Sequence, residues 1–319
     1  MMIVGKMRIE KAARRALVLL LITAALLSVS ACTGKAVMQQ ERSDPLIRKE
    51  RIFPPDGRSR IVGMAVRDGE IMLAGNGELA LYRLTVTENG GVSFDGGQTL
   101  TLKPGYEPVA VTSNDTAFYV LTKAGDGYSV LQCSGALIQN ETTLCDWPFD
   151  DATGIAVNAV GSICVYGNSY ITLVTPDGYA ASPAEFPALV CSAAAAGGEI
   201  IVSLFDFEGE SAAYYCYTPE TGALAELQIS LPSEYPQMLM GNMAACQGLN
   251  DEYLICSGVE FFSYDVRDGV CGRLMQWGGQ GDLNTRYSNV CRVGLNTFIC
   301  AERGGGLMAY SLVPRPENV

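Results

Sequence analysis

The sequence predicts an all-β protein. Short apolar runs of five to eight residues recur from Ile61 onward, separated by glycine-containing turns such as RDG and GNG. Runs of this length between turn residues are typical of antiparallel strands and not of helices. The 48% hydrophobic content is ample for a core in a chain of 319 residues.

A three-strand unit, seen at residues 61–84 as IVGMAVRDGEIMLAGNGELALYRL, recurs five more times in altered form. Each copy has a strand of small residues, a tight turn and a strongly apolar strand. One position is equivalent in all copies: Ile71, Ala117, Ile163, Ile200, Tyr253 and Phe298. Its spacing averages roughly 45 residues, the length of a four-stranded propeller blade. The repeat therefore predicts a β-propeller of six four-stranded blades over residues 49–313, with small residues where the innermost strands crowd together.

The last copy has three strands, because PRPENV follows LMAYSLV. The N-terminal segment ERIFPP, residues 50–55, resembles the predicted fourth strands, which also end in an apolar residue and a proline, as in TLTLKP and TTLCDWP. We therefore expect this N-terminal strand to close the last blade and leave no free edge. The alternative is an open array whose remaining blades lie in a missing C-terminal part.

The N-terminus has the three parts of an export signal. A basic region up to Arg15 precedes an apolar run at 16–31, which ends in Val29-Ser30-Ala31-Cys32. This end resembles the bacterial lipobox, which implies cleavage after residue 31 and acylation of Cys32. Two or three acyl chains give stable anchoring, so we expect a lipoprotein on the extracytoplasmic face of the cell membrane, with a flexible tether at 32–48. An uncleaved anchor helix is the alternative, and it leaves the protein on the same side.

The lipobox, the tether and divergent blades with the pattern LMQWG before a polar loop resemble the N-terminal propeller of certain large clostridial lipoproteins. In that family the propeller precedes an extracellular solute-binding domain of the type that serves ABC importers. The resemblance implies an association with solute uptake and makes residues 314–319 a tail or the start of a linker.

The charge balance excludes one class of partner. The net charge is −12, and no Lys or Arg occurs between Lys123 and Arg267. Nucleic-acid binding is not expected, because that span has no basic side chain to neutralise phosphates.

We expect a monomer with a protein or glycan partner.

Catalysis is restricted by the absence of histidine, which removes Ser-His and Cys-His pairs and the commonest general base. We predict no cofactor, no metal and no catalytic residue. Two acidic groups keep a carboxylate-dependent sugar-active or lactone-active enzyme as the alternative. They are Asp146, Asp150 and Asp151 before the third blade, and Asp206, Glu208 and Glu210 in the turn DFEGE.

Binding is the better-supported function. In a propeller the connections between blades emerge on one face, together with the turns between second and third strands. Residues on this face are the predicted ligand or partner site: Tyr106, Trp147, Phe149, Asp150, Asp151, Tyr235, Trp277, Arg286 and Tyr287. Exposed aromatic side chains stack on sugars or grip peptides. The alternative is that aromatics beside prolines fill the grooves between blades. The polar loop at 278–289, which carries Arg286, is the best single candidate for a functional loop.

Ten cysteines follow Cys32, all inside predicted strands. Pairs such as Cys246 with Cys256, or Cys291 with Cys300, lie on adjacent strands, and an even count in an exported protein permits disulfides. Cysteine is also a small buried apolar residue, and we favour mostly free thiols. The sequence as a whole predicts a lipid-anchored, non-catalytic binding or scaffold module.

Overall fold

The computed structural model describes residues 46–54, 56–57, 60–75, 77–145, 148–209, 211–227, 243–247, 252–257, 260–265, 270–276, 287–294, 297–302 and 306–313. Nearly all of them belong to one compact unit, Ile47–Val313. The described residues contain no helix long and apolar enough to cross a membrane.

The described chain is built from antiparallel strands and one short 3-10 helix, Phe149–Asp151. The strands of its N-terminal half are β1 (Leu46–Ile52), β2 (Gly63–Arg67), β3 (Glu70–Gly75), β4 (Glu78–Val86), β5 (Val92–Leu100), β6 (Tyr106–Ser113), β7 (Phe118–Ala124), β8 (Gly127–Ser134), β9 (Leu137–Thr143), β10 (Gly154–Val157), β11 (Ile163–Tyr166), β12 (Tyr170–Val174) and β13 (Ala180–Glu185). The strands of its C-terminal half are β14 (Leu189–Ala196), β15 (Glu199–Asp206), β16 (Ser211–Thr218), β17 (Ala223–Glu226), β18 (Met243–Gln247), β19 (Glu252–Ser257), β20 (Glu260–Asp265), β21 (Val270–Gln276), β22 (Tyr287–Gly294), β23 (Thr297–Glu302) and β24 (Leu307–Val313).

These strands form four-stranded sheets in chain order, as the all-β propeller prediction requires. The first to fifth sheets are β2–β5, β6–β9, β10–β13, β14–β17 and β18–β21, and a sixth has the order β1-β24-β23-β22. The first strand of each sheet contacts the first strand of the next, and β22 also contacts β2. The prediction of an all-β propeller is confirmed.

The core lies between neighbouring sheets. The second and third strands carry most of it, because they are covered on both faces: Ile71, Met72 and Leu73 of β3 are each 0% exposed. One cluster joins the first sheet to the sixth, and others join the first to the second and the second to the third. Burial of apolar surface between sheets is thus the main force that holds adjacent sheets together.

The small residues predicted for the innermost strands have a visible reason at Gly63 in β2. A Cβ on Gly63 would lie 2.8 Å from the backbone nitrogen of Val111 in β6. Backbone can approach backbone this closely only where there is no side chain. Glycine therefore sets the packing distance between the first two sheets at this point.

The fourth strands begin earlier than the sequence indicated. The sequence predicts the fourth strand of the second blade at TTLCDWP, but β9 ends at Thr143, and all of its residues, LIQNETT, are exposed or half-buried. Exposed outer strands lack an apolar run, so the hydrophobic pattern does not reveal them. At the N-terminus, β1 begins at Leu46, inside the segment that the sequence assigns to the tether.

The described strands and connections carry free thiols at Cys133, Cys145, Cys164, Cys191 and Cys216. In the register of β22 and β23, Cys291 pairs with Ile299 and Cys300 pairs with Val290. The expectation that Cys291 and Cys300 could approach one another was wrong, because adjacent positions on a strand point to opposite faces.

Candidate functional site

Alternation of strand direction brings two sets of loops to one face of the molecule. They are the connections from a fourth strand to the next first strand and the turns between second and third strands. The turn between β11 and β12 shows how these loops meet. The backbone N–H of Phe186, in the connection after β13, donates a 2.8 Å hydrogen bond to the carbonyl oxygen of Ser169 in this turn, and the N–H of Val190, in β14, donates one of 2.8 Å to that of Asn168. We call this the connecting face. Turns between first and second strands lie on the opposite face.

Tyr106, a predicted binding residue, is held by two charged neighbours. Its hydroxyl donates a 2.8 Å hydrogen bond to Glu141 Oε1. The Lys103 ammonium forms a salt bridge with the same carboxylate and lies 5.6 Å from the centre of the Tyr106 ring. The hydrogen bond from Lys103 lowers the pKa of Glu141 and raises the pKa of Lys103 itself. Tyr106 is therefore half-buried and engaged, with one ring face covered by a cation.

Phe149 fills the core between the second and third sheets. Its side chain is 3% exposed and packs with Tyr119, Leu121 and Tyr128 of the second sheet and Ile155 of the third. The aromatic side chain of this connection thus fills the groove between the two sheets. Phe149 is thus not available to a ligand at the surface.

Asp150 and Asp151 lie beside Phe149 and are exposed. The backbone N–H of Asn168, in the turn between β11 and β12, donates to Asp151 Oδ2 at 3.4 Å. Tyr170, the first residue of β12, is buried next to this turn, and its hydroxyl has no hydrogen-bond partner. The connection and the turn therefore place the Asp151 carboxylate close to a buried tyrosine side chain, with Asp150 next to it in the chain.

The environment of Tyr170 disfavours its ionised form. Burial raises the pKa of Tyr170, and the nearby Asp151, Tyr128 and Asp150 raise it further. The phenol thus stays neutral and is able both to donate and to accept a hydrogen bond.

Several predicted site residues lie outside the described residues: Cys32, Trp147, Tyr235, Trp277 and Arg286, with Asp146 of the acidic group, Glu210 of the DFEGE turn and the polar loop at 278–286. Tyr287 is described by its backbone alone, as the first residue of β22, where it pairs with Glu302.

Two exposed aromatics of the connecting face were missed by sequence reasoning. Phe207, in the turn between β15 and β16, is 70% exposed, and Phe53, just after β1, is 69% exposed. The ring of Phe207 meets the buried ring of Phe205 edge-on at a centroid distance of 4.9 Å. The signal for Phe207 is the aromatic residue inside the acidic turn DFEGE.

The acids of that turn have a local role. Asp206 accepts a 2.9 Å hydrogen bond from the backbone N–H of Glu208, which closes the turn beneath Phe207. Among the described residues, no group of three or more His, Cys, Asp or Glu side chains is placed to hold a metal ion.

Comparison with known proteins identifies the fold. No protein-family model matches the chain, and no curated protein matches it significantly. Among solved structures, a proposed gluconolactonase is similar, with a TM-score of 0.54, 11% identity, and coverage of 86% of this chain and 96% of that one. A protein of unknown function from Bacteroides caccae has a TM-score of 0.48 and 13% identity, over 72% of this chain and 85% of that one. A chain of the crystal structure of BBS1N in complex with ARL6DN has a TM-score of 0.48 and 15% identity, over 78% of this chain and 76% of that one. At such low identity, the first of these likenesses shows the propeller fold alone.

Proposed function

We propose that this chain is a lipid-anchored extracytoplasmic β-propeller that acts as a non-catalytic binding or scaffold module. The lipobox at Val29-Ser30-Ala31-Cys32 supports the anchor, with Cys32 as the acylated residue. The resemblance to propeller-bearing clostridial lipoproteins supports an association with solute uptake.

The scaffold in this proposal is a ring of six blades, the last of them completed by β1. The order β1-β24-β23-β22 and the contact between β22 and β2 support closure. So do hydrogen bonds between the sixth and first sheets, from Asn289 Nδ2 to the carbonyl oxygen of Val62 (3.2 Å) and from Arg48 Nη1 to that of Asn89 (3.3 Å). A closed ring leaves no sheet edge for unwanted pairing.

The observation that carries the binding role is Phe207. A phenylalanine that is 70% exposed is held in place by the edge-on contact with Phe205 and by the turn that Asp206 closes. Rigid exposed aromatics lose little conformational entropy when they are covered, which makes them effective anchors for a partner. The acids beside it favour a partner whose contact surface is neutral or basic.

The test is retention of ligands by the purified full chain in non-ionic detergent, immobilised and exposed separately to envelope glycans and to envelope proteins. Phe207→Ala removes the exposed aromatic side chain that is proposed to contact the partner. Val160→Ala is the matched control, because Val160 is 74% exposed and lies in the turn between β10 and β11, on the opposite face.

We expect one glycan or protein to be retained by the wild type and by Val160→Ala and to be lost with Phe207→Ala. Equal retention by all three proteins, or retention of nothing, contradicts the proposal. The fraction in which the ligand is found decides between a glycan and a protein partner.

A further inference from the structure

The hydroxyl of Tyr170 is, within the part of the chain that the structure describes, the one buried side-chain nitrogen or oxygen atom without a hydrogen-bond partner. The residue is 4% exposed. Buried polar groups are almost always paired with protein or water, because an unpaired one costs free energy. An orphan hydroxyl at a surface turn therefore points to a group that binds there.

Tyr170 and Asp151 meet at Gly167, in the turn between β11 and β12. The position that a Cβ on Gly167 would occupy is 2.7 Å from Asp151 Oδ1, and 2.2 and 2.8 Å from Tyr170 Cε1 and Cζ. These ring atoms belong to the hydroxyl end of the side chain. The absence of a side chain at Gly167 thus allows the phenol and the carboxylate to approach the same point.

The carboxylates at this point lack a cationic partner within the described residues, where neither Asp150 nor Asp151 forms a salt bridge. The Lys123 ammonium lies 5.2 Å from the centre of the Tyr128 ring and forms no salt bridge with either aspartate. No Lys or Arg occurs from residue 124 to residue 266. The site therefore combines two negative charges with one hydroxyl that needs a partner.

We propose that Tyr170, Asp151 and Asp150 form a binding site for a protonated primary amine. The ammonium group would donate one hydrogen bond to the Asp151 carboxylate and one to the Tyr170 oxygen. The carboxylate of Asp150, the preceding residue, would add to the negative charge that attracts the ammonium. A primary ammonium has three N–H donors and no acceptor, which suits two carboxylates and a phenol oxygen. Anions would be repelled by the aspartates.

The amine has two sources with the same chemistry: a free amine, or a lysine side chain of a partner protein. Pentane-1,5-diamine represents the first and Nα-acetyl-lysine methylamide the second. Tetramethylammonium has the charge without N–H donors, and pentan-1-ol has a donor without the charge. Titration calorimetry on the full chain in non-ionic detergent measures all four probes.

We expect at least one of the two amines to bind, and tetramethylammonium and pentan-1-ol to bind at least about tenfold more weakly, since each lacks one part of a charge-assisted hydrogen bond. Tyr170→Phe and Asp151→Asn should each weaken amine binding by about tenfold. Asp115→Asn is the matched control, an exposed aspartate in the turn between β6 and β7, and should leave binding unchanged.

Absence of amine binding by the wild type, equal binding of tetramethylammonium, or full binding by Tyr170→Phe would overturn the proposal. The result is separable from the function proposed above, because the Phe207→Ala protein should bind the amine normally. The amine with the higher affinity indicates whether a small molecule or a lysine side chain is the natural ligand.

Discussion

The hydroxyl of Ser311 in β24 donates a 2.6 Å hydrogen bond to the carbonyl oxygen of Gly90, in the turn between β4 and β5. The two residues are 221 positions apart in the chain, and the bond joins the sixth sheet to the first. Turns at the same place in two other sheets also press on the preceding sheet. A Cβ on Gly178 would lie 1.9 Å from the Thr143 oxygen, and one on Gly222 would lie 3.1 Å from Ser182 Cβ. Glycine in this turn is thus part of the contact between sheets.

The first prediction concerns Gly90. Gly90→Ala should lower the free energy of unfolding by about 2 kcal/mol or more. The residue has a φ of +75°, and an added Cβ would lie 2.3 Å from Ser311 Cβ. Gly125→Ala is the control, with a φ of +60° and no atom within 4 Å of its added Cβ. It should cost about 1 kcal/mol, from backbone strain alone. Urea unfolding followed by circular dichroism measures the free energy of unfolding of both variants. Equal losses of stability in the two would mean that the Gly90 turn does not pack against the sixth sheet.

A second prediction separates Tyr170 from another buried tyrosine. The Tyr217 hydroxyl donates a 2.6 Å hydrogen bond to the carbonyl oxygen of Ser182, so Tyr217→Phe should cost about 1 kcal/mol of stability. Tyr170→Phe removes a hydroxyl without a partner and should leave stability unchanged or raise it by up to about 1 kcal/mol. Denaturant midpoints of the two variants, in buffer free of amines, make the comparison. A loss in Tyr170→Phe as large as in Tyr217→Phe would show that this hydroxyl is already paired in the free protein.

Asn158 provides a third prediction, on the opposite face. Its side chain is 0% exposed, accepts a 2.7 Å hydrogen bond from the N–H of Ser162 and donates one of 2.6 Å to the carbonyl oxygen of Gly198 in the fourth sheet. Asn158→Ala leaves both partners unpaired and should cost about 2–3 kcal/mol. Asn140→Ala, at an exposed position of β9, should change stability by less than about 0.5 kcal/mol. Thermal unfolding of the two variants tests this, and similar melting temperatures would contradict it.

The acid dependence of stability should depend in part on Glu141. Its pKa is lowered from the ordinary value of 4.5, chiefly by the hydrogen bond from Lys103. A carboxyl with a lowered pKa stabilises the fold above its unfolded pKa, and this contribution is lost as the pH falls through its folded pKa. Glu141→Gln should therefore flatten the fall in urea midpoint below about pH 4.5. Glu185→Gln, at an exposed position of β13, should retain the wild-type profile, and a steeper fall in Glu141→Gln would refute the assignment.

The repeat was predictable from the sequence because it is carried by strands whose composition reflects burial. Small residues such as Gly63 mark the innermost strands, and runs such as EIMLAG mark the second. The outer strands were placed poorly, since the exposed residues of β9 carry no apolar signal.

The candidate site was only partly predictable. Chain position brought Tyr106, Phe149, Asp150 and Asp151 to the connecting face, but it did not reveal which were accessible. Phe149 is buried because the groove between two sheets needs a filler. The orphan hydroxyl of Tyr170 depends on its three-dimensional surroundings, so no sequence pattern marks it. Phe207 could have been found from the rule that an aromatic residue in a short polar turn has little to pack against.

The central claim is that the connecting face around Phe207 binds a partner, and site-specific photo-crosslinking in intact cells tests it most directly. A photoreactive phenylalanine analogue is placed at position 207 in one protein and at position 160, on the opposite face, in another. The account predicts a discrete crosslinked species from position 207 and none from position 160. No species from position 207, or the same species from both positions, would contradict it.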